Sequence, residues 1–149
     1  VPEYRNNASW ALIKTRVGQE SYGMLLRDTY GKGEMLSLAV PDSFSDLYHL
    51  PVDVLTRLRG AFPVNGVHLE CESRISLFCY DNDAFIVYPY VDEGVQPSLG
   101  RIHVAGKVAA LEMPVAKRTV KPLYQTENET VFEFRAMPGR YDLYRIVRE

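Results

Sequence analysis

The chain has 149 residues, 46% of them hydrophobic, with 17 basic and 19 acidic side chains spread along its length for a formal net charge of −2. That size suits a single domain, 1–149, built around one core, and the lack of a basic block argues against a nucleic-acid partner. No apolar run approaches the roughly 18 to 20 residues of a membrane span, so the chain reads as soluble and without a membrane partner, its compartment open with the cytoplasm slightly favoured.

Taken in chain order, the opening at Val1 lacks an initiator methionine, and residues 2–9 are polar and turn-prone, as an excised segment or a processed start would be. A first strand is expected over 10–17. A hairpin follows over 23–29 and 34–40, turning at Tyr30-Gly31-Lys32-Gly33, where glycine supplies the positive φ of a tight connection. Pro41-Asp42-Ser43 should end it and lead into a helical segment near 43–60. The helix proper is expected over 51–59: Pro51 suits its first position, Asp53 and Arg57 with Arg59 complement its dipole, and Gly60 should stop it. Leu47, Leu50, Val54, Leu55 and Leu58 recur at three and four, which marks one packed stripe.

From Val67 the period changes to two, His68, Glu70, Glu72 and Arg74 alternating with apolar neighbours, as in a half-buried strand. If the chain stays extended between them, Cys71 and Cys79 lie on one strand face with Val67, Leu69, Ile75 and Leu77, two small buried hydrophobes. Residues 74–80 and 84–91 flank Asp81-Asn82-Asp83 as a second hairpin. Further strands are expected over 101–104, 108–111, 119–123, 130–134 and 141–147, separated by turn residues such as Gly94 to Pro97, Gly106 and Met137-Pro138-Gly139. So many short strands predict a mainly β fold, an antiparallel β-sandwich or partial barrel with one short helical segment.

Chemistry is thinly signalled, and the expected catalytic set is empty. Tyr30-Gly31-Lys32-Gly33 lacks the spacing of a phosphate loop, and His49, His68 and His103 lack the pairing that would pre-position zinc ligands. No cofactor is expected. Asp81 and Asp83, with Asp92 or Glu93, offer clustered oxygens that leave calcium open. The aromatic content is the feature that points to binding: one Trp, six Phe and ten Tyr. Trp10, Tyr80, Tyr88 and Tyr90 are the candidates for stacking on sugar rings, against a plainer role in sheet packing.

Two stretches carry a resemblance. Leu25-Leu26-Arg27-Asp28-Thr29-Tyr30-Gly31-Lys32-Gly33-Glu34-Met35-Leu36-Ser37-Leu38, followed by Pro41-Asp42 and a leucine-rich helix, resembles the closing hairpin of amidotransferase-like domains in large bacterial glycoside hydrolases. Ile75-Ser76-Leu77-Phe78-Cys79-Tyr80-Asp81-Asn82-Asp83, with Val131-Phe132-Glu133-Phe134 and Tyr141-Asp142-Leu143-Tyr144-Arg145-Ile146, resembles the C-terminal β-sandwich of bacterial beta-galactosidases. The resemblance implies a non-catalytic accessory or interaction domain cut from a larger carbohydrate-active protein, its partner a neighbouring domain of the same parent chain. A carbohydrate-binding module using exposed Tyr and Trp is the alternative, and a stand-alone enzyme whose carboxylates converge only in three dimensions is the third reading.

Overall fold

The computed structural model describes residues 10–40, 43–90 and 96–149. By its internal contacts the chain divides into two compact units, Val1–Leu50 and Pro51–Glu149. The fold is mainly β, as expected: three antiparallel sheets and one short α-helix, with no sheet closed into a barrel among the described residues.

In the first unit β1 (Trp10–Val17), β2 (Glu20–Tyr30) and β3 (Gly33–Leu38) form a meander in that order. Two-residue loops join them, and each begins with a glycine at positive φ, Gly18 at 63° and Gly31 at 62°. Any side chain there would strain the reversal. The strand expected from residue 23 begins at Glu20, because Gly18-Gln19 is itself a hairpin turn and Ser21 already pairs with Arg16. Ile13, Leu25, Leu26 and Ala39 are buried. Pro41 and Asp42, expected to end the hairpin, lie outside the described residues, and a short 3-10 helix, Phe44–His49, follows.

The second unit begins with α1 (Val52–Ala61), capped by Pro51, whose carbonyl accepts from Leu55 N–H at 3.0 Å. Gly60 does not stop the helix as expected. It stays helical, at a position where a Cβ would stand in ordinary van der Waals contact with the His68 ring, 3.4 Å from Nε2. The strands after it are β4 (Val67–Glu70), β5 (Ile75–Tyr80), β6 (Ala84–Pro89), β7 (Ser98–Ala105), β8 (Val108–Met113), β9 (Arg118–Val120), β10 (Tyr124–Gln125), β11 (Glu129–Ala136) and β12 (Asp142–Arg148). They form a four-stranded sheet in the order β10-β11-β7-β4 and a five-stranded sheet in the order β5-β6-β12-β8-β9.

The inward residues of these two sheets make one core, so the unit is a β-sandwich. Val67, Leu69, Ile102, Val104, Phe132 and Phe134 come from the four-stranded sheet. Ile75, Phe85, Val87, Leu111, Tyr144 and Ile146 come from the five-stranded one, with the Phe85 and Tyr144 rings stacked at 5.1 Å. In β8 the alternation slips: Val147 pairs with Ala110 but Arg148 with Val108, so Ala109 bulges and Val108 and Leu111 both face inward. Gly100 on β7 is required by packing, because a Cβ there would lie 2.7 Å from the Cys71 Cβ and 2.8 Å from the Phe134 ring.

Two expectations fail for physical reasons. The strand over 67–74 ends at Glu70, and residues 71–74 carry the chain from one sheet to the other, so Cys71 and Cys79 do not share a strand. Both still turn inward, Cys71 buried and Cys79 half-buried. The strand expected over 119–123 ends at Val120, since Pro122 has no N–H to give a ladder, and the chain rejoins the opposite sheet as β10.

Candidate functional site

The aromatic candidates are divided between the two units. Trp10, on β1 of the first unit, is 78% exposed. Tyr80, Tyr88 and Tyr90 belong to the second unit, where Tyr88 on β6 and Tyr90 just beyond it meet edge to face, their centroids 5.7 Å apart and planes at 75°. Ser76 Oγ donates to the Tyr90 hydroxyl at 3.0 Å. Sugar rings stack on coplanar aromatic faces, which this pair does not present. Tyr80 stands at the other end of the β5–β6 hairpin, opposite Ala84.

What those tyrosines share is the outer face of the five-stranded sheet. Register places Phe78 opposite Ile86 and Ile86 opposite Leu143, one apolar row across β5, β6 and β12. Phe78, Tyr80 and Tyr90 are 51%, 50% and 55% exposed, and Ile86, Tyr88 and Leu143 are half-buried. The outward positions of these strands thus carry the residue types usual for a covered sheet.

The acidic turn is engaged elsewhere. Asp83, at φ 55°, accepts from Arg148 Nη2 at 2.8 Å and Nε at 3.2 Å, which ties the β5–β6 turn to the end of β12. Asp81 is exposed beside it, and Asp92 and Glu93 lie outside the described residues. Among the described residues no three acidic, His or Cys side chains converge as a metal would require.

The outer face of the four-stranded sheet is charged instead. His103 on β7 is 8% exposed and lies between two carboxylates, Nδ1 3.1 Å from Glu129 and Nε2 3.1 Å from Glu70, while Arg101 donates to Glu70 at 3.0 Å. His68 on β4 stacks on His103 at 4.5 Å. Burial, then the neighbouring His103, holds the His68 ring below its usual pKa. Desolvation alone would raise Glu70, but its bonds to His103 and Arg101 outweigh this and hold it below the usual carboxylate range.

Where the chain leaves β4, Arg59 from the last turn of α1 donates to the carbonyls of Cys71 at 2.6 Å and Glu72 at 3.0 Å, with Leu69 on the strand at 3.5 Å. Carbonyls left open at a strand end invite pairing with another chain, and this guanidinium occupies them. Burial pushes the Cys71 thiol up to about 11, away from the thiolate a nucleophile needs.

A cavity of about 850 Å³ opens among the ends of β4, β7, β9 and β11. Arg118, Lys121 and Arg135 border it together with Glu72 and Glu133, and Tyr144 reaches it from the core. These residues had not been singled out in the sequence. Arg101 and His103 alternate along one strand as Glu70 and His68 do along another, and that complementarity was readable; the convergence of Arg118, Lys121 and Arg135 depends on two strands from different sheets.

Comparison with curated proteins and with solved structures gave no match. The family model described as probable glycosyl hydrolase, C-terminal domain, matches residues 66–146. That span runs from the residue before β4 into β12 and takes in both sheets of the sandwich. More than half of the chain is matched, and the chain belongs to the family of probable glycosyl hydrolase C-terminal domains.

Proposed function

We propose that this chain is a non-catalytic accessory domain that packs, through the outer face of its five-stranded sheet, on a neighbouring domain of a longer carbohydrate-active polypeptide. The observation that carries this reading is the row Phe78–Ile86–Leu143, flanked by Tyr80, Tyr88 and Tyr90, on the outward side of the sheet. Contiguous apolar patches of this kind mark docking surfaces, and covering one removes its aromatic rings from water. Family membership supports a glycosyl hydrolase as the neighbour. The likeness of residues 75–83 and 131–146 to the sandwich of beta-galactosidases makes a β-galactoside-cleaving neighbour the specific form of the proposal.

Charge placed in the row tests it. Phe78→Asp should leave the isolated chain folded, while in the native polypeptide it should release this domain to limited proteolysis and lower the thermal midpoint of its neighbour. Proteolysis and melting that match the unmodified polypeptide would overturn the docking.

A further inference from the structure

We infer that the cavity bounded by Arg118, Lys121 and Arg135 binds an acidic oligosaccharide, a chain of sugar units that bear ring carboxylates. The inference rests on the carbohydrate-active context proposed above and uses a different surface from the docking row.

Four observations carry it. The first is the cations: Arg118, Lys121 and Arg135 have no carboxylate within ion-pair distance among the described residues, and the one bond from Arg118 is to Met113 Sδ at 2.9 Å, a weak acceptor. The second is Tyr144, a core residue that is 1% exposed, lines the same cavity and makes no side-chain hydrogen bond to a described residue. A phenol hydroxyl at a cavity wall can donate to a ligand oxygen.

The third is the set of carboxylates in the lining. Glu70 is held by Arg101 and His103, and Glu72 accepts from Ser98, but Glu133, two residues from Arg135 on the same face of β11, has no hydrogen-bond or ion-pair partner among the described residues and can accept from hydroxyls. A lining of free cations, one free carboxylate and a phenol suits a ligand that carries both carboxylates and hydroxyls. It suits a bare inorganic anion poorly, because Glu133 would repel it.

The fourth is continuity. A second cavity, of about 400 Å³, shares Arg118 and Arg135 with the first and adds Arg140, which also lacks an ion pair among the described residues. Asp142 borders it too, and burial raises its carboxyl while Arg118 and Arg140 pull it back. Two adjoining cavities around shared arginines fit a ligand of repeated units better than a single ring. A guanidinium pairs with a carboxylate in a fixed two-point geometry, so spaced arginines read spaced carboxylates.

The test is calorimetric titration of the whole chain with trigalacturonate, with galactotriose as the neutral counterpart and sulfate as the plain anion. Trigalacturonate is expected to bind at least about tenfold more tightly than either control, the factor one charged hydrogen bond supplies. Arg118→Gln and Arg135→Gln should each weaken it about tenfold, and Tyr144→Phe, which removes one oxygen from a retained ring, about threefold with an unchanged thermal midpoint. No heat with trigalacturonate, equal affinity for galactotriose or for sulfate, or affinity untouched by the arginine variants would overturn the inference. Phe78→Asp should not alter the titration, so loss of docking and loss of sugar binding are separately visible.

Discussion

The two outer faces of the sandwich solve the same problem in opposite ways. On the four-stranded sheet the outward residues of β4 and β7 include His68, Glu70, Arg101 and His103: Glu70 bonds to Arg101 and His103, His103 also meets Glu129, and His68 stacks on His103, while Arg59 covers the exit from β4. The polar groups of these two strands are partnered inside the chain. On the five-stranded sheet the outward row is Phe78, Ile86 and Leu143, with Phe78 half exposed and Tyr80, Tyr88 and Tyr90 beside it. A self-satisfied face needs no partner, whereas an apolar one gains free energy from being covered. The difference teaches which side of this domain is built to be joined.

The largest effect expected on the charged side comes from the helix that flanks it. Leu55 is the buried residue of α1, and Leu55→Ala should cost about 2 to 5 kcal/mol, read from urea midpoints. An unchanged midpoint would mean that α1 does not rely on packing, which a helix of 10 residues could not sustain in water. Next comes the network itself. His103→Ala removes the ring that lies between Glu70 and Glu129 and should cost about 1 to 3 kcal/mol.

Acid should loosen this face in two stages. His68 has its folded pKa below 6.5, so the folded state binds fewer protons than the unfolded chain; its contribution is complete above pH 6.5 and is lost as pH falls from there. Glu70 is also lowered, from 4.5, and its contribution is present above that value and lost below it. Denaturant midpoints should therefore fall on acidification, first from near pH 6.5, and His68→Gln should abolish that first step alone. Stability that stays level from about pH 7.5 to 5 in the unmodified chain would refute the linkage. The smallest effect belongs to the apolar side: Phe78→Asp should change the isolated chain by less than about 0.5 kcal/mol, as for other half-exposed surface positions.

Much of this contrast was legible in the sequence. Strict alternation gave the inner face of β4, and turn residues such as Gly31 and Asp81-Asn82-Asp83 marked hairpins where they occur. The crossing at residues 71–74 was not legible, because Glu72 and Arg74 continue the alternation while the backbone has already left the ladder. Nor was the bulge at Ala109, which tertiary packing imposes on a short segment, whereas Pro122 in the sequence could have marked the stop at Val120. Single aromatics such as Tyr88 and Tyr90 could be nominated, but whether they stack flat or edge to face depends on side-chain angles that no spacing encodes. The cavity cations were invisible for a related reason: Arg118 and Arg135 are 17 positions apart and meet through strands of different sheets.

The most direct test of the central claim is hydroxyl-radical footprinting of aromatic side chains in the isolated chain and in the native polypeptide that contains it. Phe78 and Tyr80 are half exposed here, and docking of the five-stranded sheet should slow their oxidation in the native polypeptide severalfold, while Tyr124, on the opposite sheet, stays equally reactive. Equal rates at Phe78 and Tyr80 in the two samples, or a native polypeptide with no further domain to cover them, would contradict the account.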